Sequence, residues 1–270
     1  MTQSVRDLAF QSIQDILNDN AYSNLKINEV INQYNIATVD KALFTELVYG
    51  TIKRKMTLDF YLKPFVKTRI KGWVRQLLWM SLYQYVFLDK IPNHAIINEA
   101  VNIAKRRGGQ HNGNIVNAIL RHIFKSDLPT LETIKNEKQR MTIEYSIPRW
   151  IIEHWITHYG IETTHKIAKS FLVQSASTVR VNTSRTDVET ISKALLQEGY
   201  HVDIDQLIPY CLHLTGKPVI ESRAFKDGLI SIQDKSSMLV GYLMDVQKDD
   251  TILDACSCLL YTSDAADDTP

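Results

Sequence analysis

Trp73-Val74-Arg75-Gln76-Leu77-Leu78-Trp79-Met80-Ser81-Leu82-Tyr83-Gln84-Tyr85-Val86-Phe87-Leu88 carries apolar side chains on nearly every side of a helix. A helix apolar all round is enclosed by other helices rather than laid on a surface. The stretch falls short of the roughly 20 apolar residues that cross a bilayer, and Arg75, Gln76 and Gln84 interrupt it. It therefore reads as the central member of a helical bundle. Its aromatic residues, Trp73, Trp79, Tyr83, Tyr85 and Phe87, read as core and not as a base-stacking platform, because they cover all faces.

The flanks agree. Upstream, Ser4 can cap a helix with Val5, Leu8, Ala9, Ile13, Ile16 and Leu17 on one broad face. A short helix carries Leu25, Val30 and Ile31. Thr38 is expected to cap a long helix running through Leu43, Phe44, Leu47, Val48 and Ile52 toward Tyr61, stopped by Pro64. Downstream, helices are predicted from His94 to Arg106 and from Asn114 to Phe124, separated by Arg107-Gly108-Gly109-Gln110-His111-Asn112-Gly113. Residues 1–125 thus form an all-α domain.

Ser126-Asp127-Leu128-Pro129 marks a boundary, with 126–144 a helical linker. Residues 145–233 read as a small α+β domain, since helices there alternate with short strands. Helices are expected at 130–144, at 149–158 behind Pro148, and at 162–173. Strands are expected at 178–182, 200–204 and 229–232, and a helix from Val188 to Gln197 that closes at Gly199. Asp234 should cap a helix to Val246, and Thr251 to Leu253 reads as the first strand of a third domain, 234–257.

Charge is uneven along the chain. Residues 1–125 hold 17 Lys and Arg against 9 Asp and Glu, and the remainder 14 against 21. A basic half suits a polyanion, nucleic acid first, although charge alone fits a solvated surface equally. Three clusters carry it: Lys53-Arg54-Lys55; Lys67, Arg69, Lys71 and Arg75; and Lys105-Arg106-Arg107. Three cysteines make no disulfide framework, and the N-terminus has no signal-peptide core, so a cytoplasmic protein is expected.

Two groups of segments carry a family resemblance. Phe44-Thr45-Glu46-Leu47-Val48-Tyr49-Gly50-Thr51 with Leu58-Asp59, Leu82 to Pro92, Ile97-Asn98-Glu99-Ala100-Val101 and Val116 to Arg121 together resemble the NusB-like RNA-binding bundle. Pro148-Arg149-Trp150, Tyr159-Gly160, Arg180-Val181-Asn182-Thr183, Gly228 to Ser237 and Leu253-Asp254-Ala255-Cys256-Ser257 look like the RsmB (Sun/Fmu) family of ribosomal RNA cytosine-C5 methyltransferases. The resemblance implies an S-adenosylmethionine-dependent enzyme acting on 16S rRNA or its small-subunit precursor, at cytosine 967. It also implies that 234–257 opens a Rossmann-like α/β methyltransferase domain. Lys53, Arg54, Lys55, Lys105, Arg106 and Arg107 become the expected RNA contacts. In the family, the segment matched by Asp254 to Ser257 continues into a glycine-rich cofactor turn; here only Cys256 and Ser257 remain as partial cofactor contacts, and the last glycine is Gly241. In the family mechanism a cysteine thiolate adds to C6 of the base. No position matches the family's catalytic cysteine motifs, so no catalytic residue is carried over and this chain is expected to be inactive. A monomer with no membrane or metal partner is expected. The rival reading is a non-catalytic NusB-like antitermination protein, and a third is an interaction protein with a solvated basic face.

Cys258 to Asp267 matches the translation of a sequencing-library adapter, so 258–270 reads as a non-native tail. The Cys256-x-Cys258 spacing is then accidental, and no second pair completes a metal site. Cys211 reads as a buried structural residue. His154 and His158, one turn apart, read as a polar helix face opposite Trp155.

Overall fold

The computed structural model describes residues 4–19, 22–173, 176–247 and 249–253. The chain divides into two compact units, Met1–Val173 and Gln174–Pro270. In the first, α1 (Val5–Asp19), α2 (Ser23–Gln33), α3 (Thr38–Lys53), α4 (Lys55–Leu62), α5 (Gly72–Phe87) and α6 (Asn93–Ile123) enclose one apolar core. The central stretch is α5, and it buries Val74, Leu77, Leu78, Met80 and Leu82 together with the polar Gln76, Ser81 and Gln84. Ser81 Oγ donates to the Leu77 carbonyl, Gln84 Nε2 to the Met80 carbonyl and Gln76 Nε2 to Asn18 Oδ1, while the buried Gln76 Oε1 accepts no hydrogen bond among the described residues.

Where α3 crosses α5, Gly50 lets the Tyr83 ring lie directly against the α3 backbone, and the Tyr83 hydroxyl donates to Glu46 Oε1 one turn earlier. Burial, reinforced by Glu46, pushes the Tyr83 phenol far above its ordinary pKa. The Glu46-x-x-x-Gly50 spacing thus has a packing cause.

Two helix boundaries differ from the sequence expectation. The long helix from Thr38 breaks at Arg54 (φ −107°, ψ 15°), giving α3 and α4. Ala37, not Thr38, occupies the N-cap position of α3. The break is stabilised from far along the chain: the Met56 and Thr57 amides, orphaned in the first turn of α4, donate to Ser146 Oγ at 2.8 and 3.3 Å. In return, Thr57 Oγ1 donates to the Ile143 carbonyl. Conversely, Arg107 to Gly113 does not separate two helices by a loop; α6 is interrupted only at Gly109 (φ 76°, ψ 178°), a backbone that glycine tolerates. There Asn112 Nδ2 donates to the Gly108 carbonyl.

Two more helices complete this unit, α7 (Glu137–Tyr145) and α8 (Arg149–Ser170), around Met141, Tyr145, Ile147, Ile152 and Ala168. The helix expected over 130–144 starts only at Glu137, where the Asn136 side chain accepts from the Gln139 amide. The two helices expected at 149–158 and 162–173 are one element, kinked at Gly160 (φ 75°). Packing groups α8 with the helical unit.

The second unit contains β1 (Ser177–Val181), α9 (Val188–Gln197), β2 (His201–Ile204), β3 (Cys211–Thr215), α10 (Arg223–Lys226), β4 (Ile230–Ile232) and α11 (Lys235–Leu243). The sheet is antiparallel in the order β2-β3-β1-β4. Val179, Val181, Leu212, Leu214 and Ile230 pack with Ile191 and Leu195 of α9. Asp187 caps α9 by accepting from the Thr190 amide, and Gly199 follows it with φ 85°. β3 was not foreseen, although it is an inner strand. Asp234 does cap α11, accepting from the Ser236 amide.

Thr251 to Leu253 corrects one expectation: these residues form no strand and are exposed. An isolated apolar triplet has no neighbour to complete its hydrogen bonds, and none lies beside it among the described residues. The expected Rossmann-like opening therefore finds no strand here. Cys256, Ser257, Cys258 and the tail to Pro270 lie outside the described residues. Among the described residues, no helix is long and apolar enough to cross a membrane.

Candidate nucleic-acid interface

The helical unit positions the basic clusters differently from one another. Lys53 and Lys55 flank the α3–α4 break and are exposed, whereas Arg54 between them is half-buried. Its guanidinium lies 4.4 Å from the Phe87 ring centroid. Burial draws the Arg54 pKa below the usual arginine value, opposed by the nearby Tyr83 and Tyr61 phenols. Arg54 thus anchors the break, and its two lysine neighbours carry the accessible charge.

Lys105, Arg106 and Arg107 project from the last turns of α6 before the kink. Arg106 Nη2 stands 2.9 Å from Asp7 Oδ2, and Arg107 Nε 4.0 Å from Asp7 Oδ1. The Asp7 side chain is only 8% exposed, while that of Arg106 remains 48% exposed. The pair of arginines therefore neutralises a sheltered carboxylate on α1 and still presents charge outward. Arg107 also stacks on Phe10, at 4.9 Å from the ring centroid.

Three members of the middle cluster line two separate grooves. Arg75 of α5 lines a groove of about 440 Å³ together with Lys55, Met56, Asp59, Phe60, Lys63, Trp79 and Ile143. Arg69 and Lys71 line a smaller one, about 160 Å³, against His111, Asn112 and Ile115 beyond the α6 kink. Asp59 Oδ1 accepts from both Arg75 Nη1 at 2.9 Å and Trp79 Nε1 at 3.1 Å. Lys55 Nζ lies 5.6 Å above the Trp79 ring. Sequence reading singled out Lys55 but not Asp59, Phe60, Lys63 or Trp79 as a constellation. The i, i+4 spacing of Lys55, Asp59 and Lys63 was the available signal.

In the second unit, Asp205 is a hub of hydrogen bonds and ion pairs. Its Oδ1 accepts from the Leu207 and Ile208 amides at 2.9 and 3.0 Å, and Oδ2 from His213 Nε2 at 2.9 Å and Lys235 Nζ at 2.6 Å. Lys235 and then His213 hold the carboxyl well below the usual carboxylate range. Asp205, Cys211 and His213 do offer ligand atoms within 4.8 Å of one another. The Lys235 ammonium, however, already supplies the cation. Burial pushes the Cys211 thiol up, which suits a structural residue and not a nucleophile.

Three histidines of the helical unit make local contacts. The His154 and His158 rings lie 4.2 Å apart between centroids, tilted by 42°, with His158 Nδ1 2.8 Å from the His154 carbonyl. His165 Nδ1 lies 3.0 Å from the Tyr145 hydroxyl. Asn182 Oδ1 accepts from the Ser184 amide and hydroxyl, a turn-forming role.

Comparison with known proteins matches two successive segments of the chain. Residues 3–125 match the NusB family, and residues 147–221 the ferredoxin-like domain of RsmF/B-like methyltransferases. "Probable ribosomal RNA small subunit methyltransferase B" of Bacillus subtilis (strain 168) is 38% identical over 256 residues, covering 94% of this chain and 57% of its own length. The protein of the same name from Synechocystis sp. (strain ATCC 27184 / PCC 6803 / Kazusa) is 26% identical over 259 residues, covering 94% and 58%. The chain thus spans somewhat under two thirds of these relatives. The crystal structure of PH0851 shares the fold, with a TM-score of 0.66 at 20% identity, covering 92% of this chain and 57% of that one.

Proposed function

We propose that this chain, an RsmB/NusB-type protein with a NusB-like domain ahead of a ferredoxin-like one, is the RNA-engaging portion of a small-subunit ribosomal RNA methyltransferase. The observation that carries the proposal is the 38% identity to the Bacillus subtilis relative across 94% of the chain. The basic helical unit supports it, with Lys53, Lys55, Lys105 and the outward faces of Arg106 and Arg107 as phosphate contacts. The whole enzyme would use S-adenosylmethionine to methylate C5 of a cytosine in 16S rRNA, cytosine 967 by kinship. The described residues supply no cradle for that cofactor. Gly241, the last glycine, lies inside α11 and not in a turn. No step of methyl transfer is therefore assigned to this chain. An antitermination protein built on the bundle alone is disfavoured, because the ferredoxin-like match extends well past it.

The test pairs binding with activity. The chain should bind small-subunit rRNA in a filter assay, and replacing Lys53, Lys55 and Lys105 together by glutamate should abolish retention without unfolding it. Incubation with labelled S-adenosylmethionine and that RNA should leave the RNA unlabelled. Retention unchanged by the triple replacement, or methyl transfer by the chain itself, would overturn the proposal.

A further inference from the structure

We propose that the groove between α4, α5 and α7 holds one unpaired base of single-stranded RNA and selects bases that present an amino group. This deepens the RNA reading above and rests on it. A volume of about 440 Å³ lies in the range of sites that enclose a small organic group. Its walls combine the two things a single-stranded nucleotide needs, apolar and aromatic surface for the base and cations for the backbone. Phe60, Met56 and Ile143 supply the first, over the buried Trp79, and the exposed Lys55 and Lys63 the second.

Asp59 is the unexpected member, an acid in a basic groove. Arg75 and Trp79 both donate to its Oδ1, and among the described residues Oδ2 accepts no hydrogen bond. An ionised carboxylate can only accept, so the spare oxygen meets a ligand as an acceptor. It repels phosphate and suits an N–H donor. Cytosine offers its N4 amino group where uracil, of the same size, offers a carbonyl oxygen; the first pairs with a carboxylate and the second opposes it. An acidic peptide would satisfy Lys55 and Lys63 but would set its carboxylates against Asp59. The charge pattern thus favours a nucleotide.

The experiment titrates the full chain into end-labelled short oligo(rC) and oligo(rU) at low salt and reads fluorescence anisotropy. Oligo(rC) should bind about tenfold more tightly, the size of one base-edge contact. Asp59→Asn replaces the spare acceptor by a donor and should bring the ratio to one or reverse it. Phe60→Ala should weaken both by about tenfold through lost stacking. Should Asp59→Asn unfold, Lys63→Ala at its exposed position still decides, and should weaken both oligonucleotides and flatten their salt dependence. Equal affinity for both oligonucleotides in the parent, or a ratio unmoved by Asp59→Asn, overturns the base selection. Binding of small-subunit rRNA with neither oligonucleotide bound removes the groove and keeps the broader reading; no RNA bound at low salt removes both.

Discussion

Replacing Gly50 by alanine adds one methyl group to α3 at the point where Tyr83 of α5 lies against it. An ideal Cβ there falls within the phenol end of the ring, far inside the 3.4 Å at which ordinary contact begins. The ring cannot swing away freely, since its hydroxyl is bonded to Glu46 and its residue is only 5% exposed. Overpacking of this kind costs up to about 3 kcal/mol. In an unpacked helix the same change would gain about 1 kcal/mol from helix propensity. The net expectation is a loss of about 2 kcal/mol, or about 4–8 °C in the melting of a unit this size. Thermal and urea unfolding followed by circular dichroism measure it. In a Tyr83→Leu background, where the ring is gone, Gly50→Ala should be neutral or mildly stabilising. A Gly50→Ala protein as stable as its parent, or an equal penalty in both backgrounds, would refute the packing account.

Asp205 makes the second unit acid-sensitive. Its folded-state pKa lies below its unfolded value, so its stabilisation is present above the ordinary carboxylate range and is lost as pH falls below it. Asp205→Asn should therefore lower the urea midpoint at about pH 7, with the gap beginning to narrow only as pH falls below the ordinary carboxylate range; a gap independent of pH contradicts the hub. In the helical unit, Arg106→Ala should cost about 1 kcal/mol by leaving the sheltered Asp7 with only the more distant Arg107. Lys105→Ala should stay within about 0.5 kcal/mol by the same unfolding measurement. Equal effects would mean the Asp7 pair contributes nothing.

The all-helical first half was legible because α5 announces its surroundings: a helix with no polar face has to be enclosed. Helix α9 was legible to its last residue, since Asp187 and Gly199 punctuate both ends. The break at Arg54 was not. Lys53-Arg54-Lys55 contains neither glycine nor proline, and the cap that permits it, Ser146, lies about 90 residues away in sequence. Strand β3 was missed because Cys211-Leu212-His213-Leu214-Thr215 is short and its identity depends on pairing with β1 and β2. For the candidate interface, charge runs pointed to Lys53, Lys55 and Lys105. They could not show that Arg54 faces Phe87, that Arg106 and Arg107 share Asp7, or that Arg75 joins Lys55 in one groove. Those facts belong to tertiary packing, which brings α6 against α1 and α4 against α5.

The central claim is that the basic face of the helical unit binds the phosphates of RNA. The most direct measurement is the affinity of the full chain for a small-subunit rRNA fragment across a series of salt concentrations. Counterion release predicts a straight line of log affinity against log salt, with a slope of about −0.7 to −0.9 for each phosphate engaged. Lys53, Lys55 and Lys105 acting together predict a slope of magnitude about 2 or more, reduced by about one when any one of them is replaced by alanine. A flat line, or a slope unchanged by all three replacements, would contradict the account.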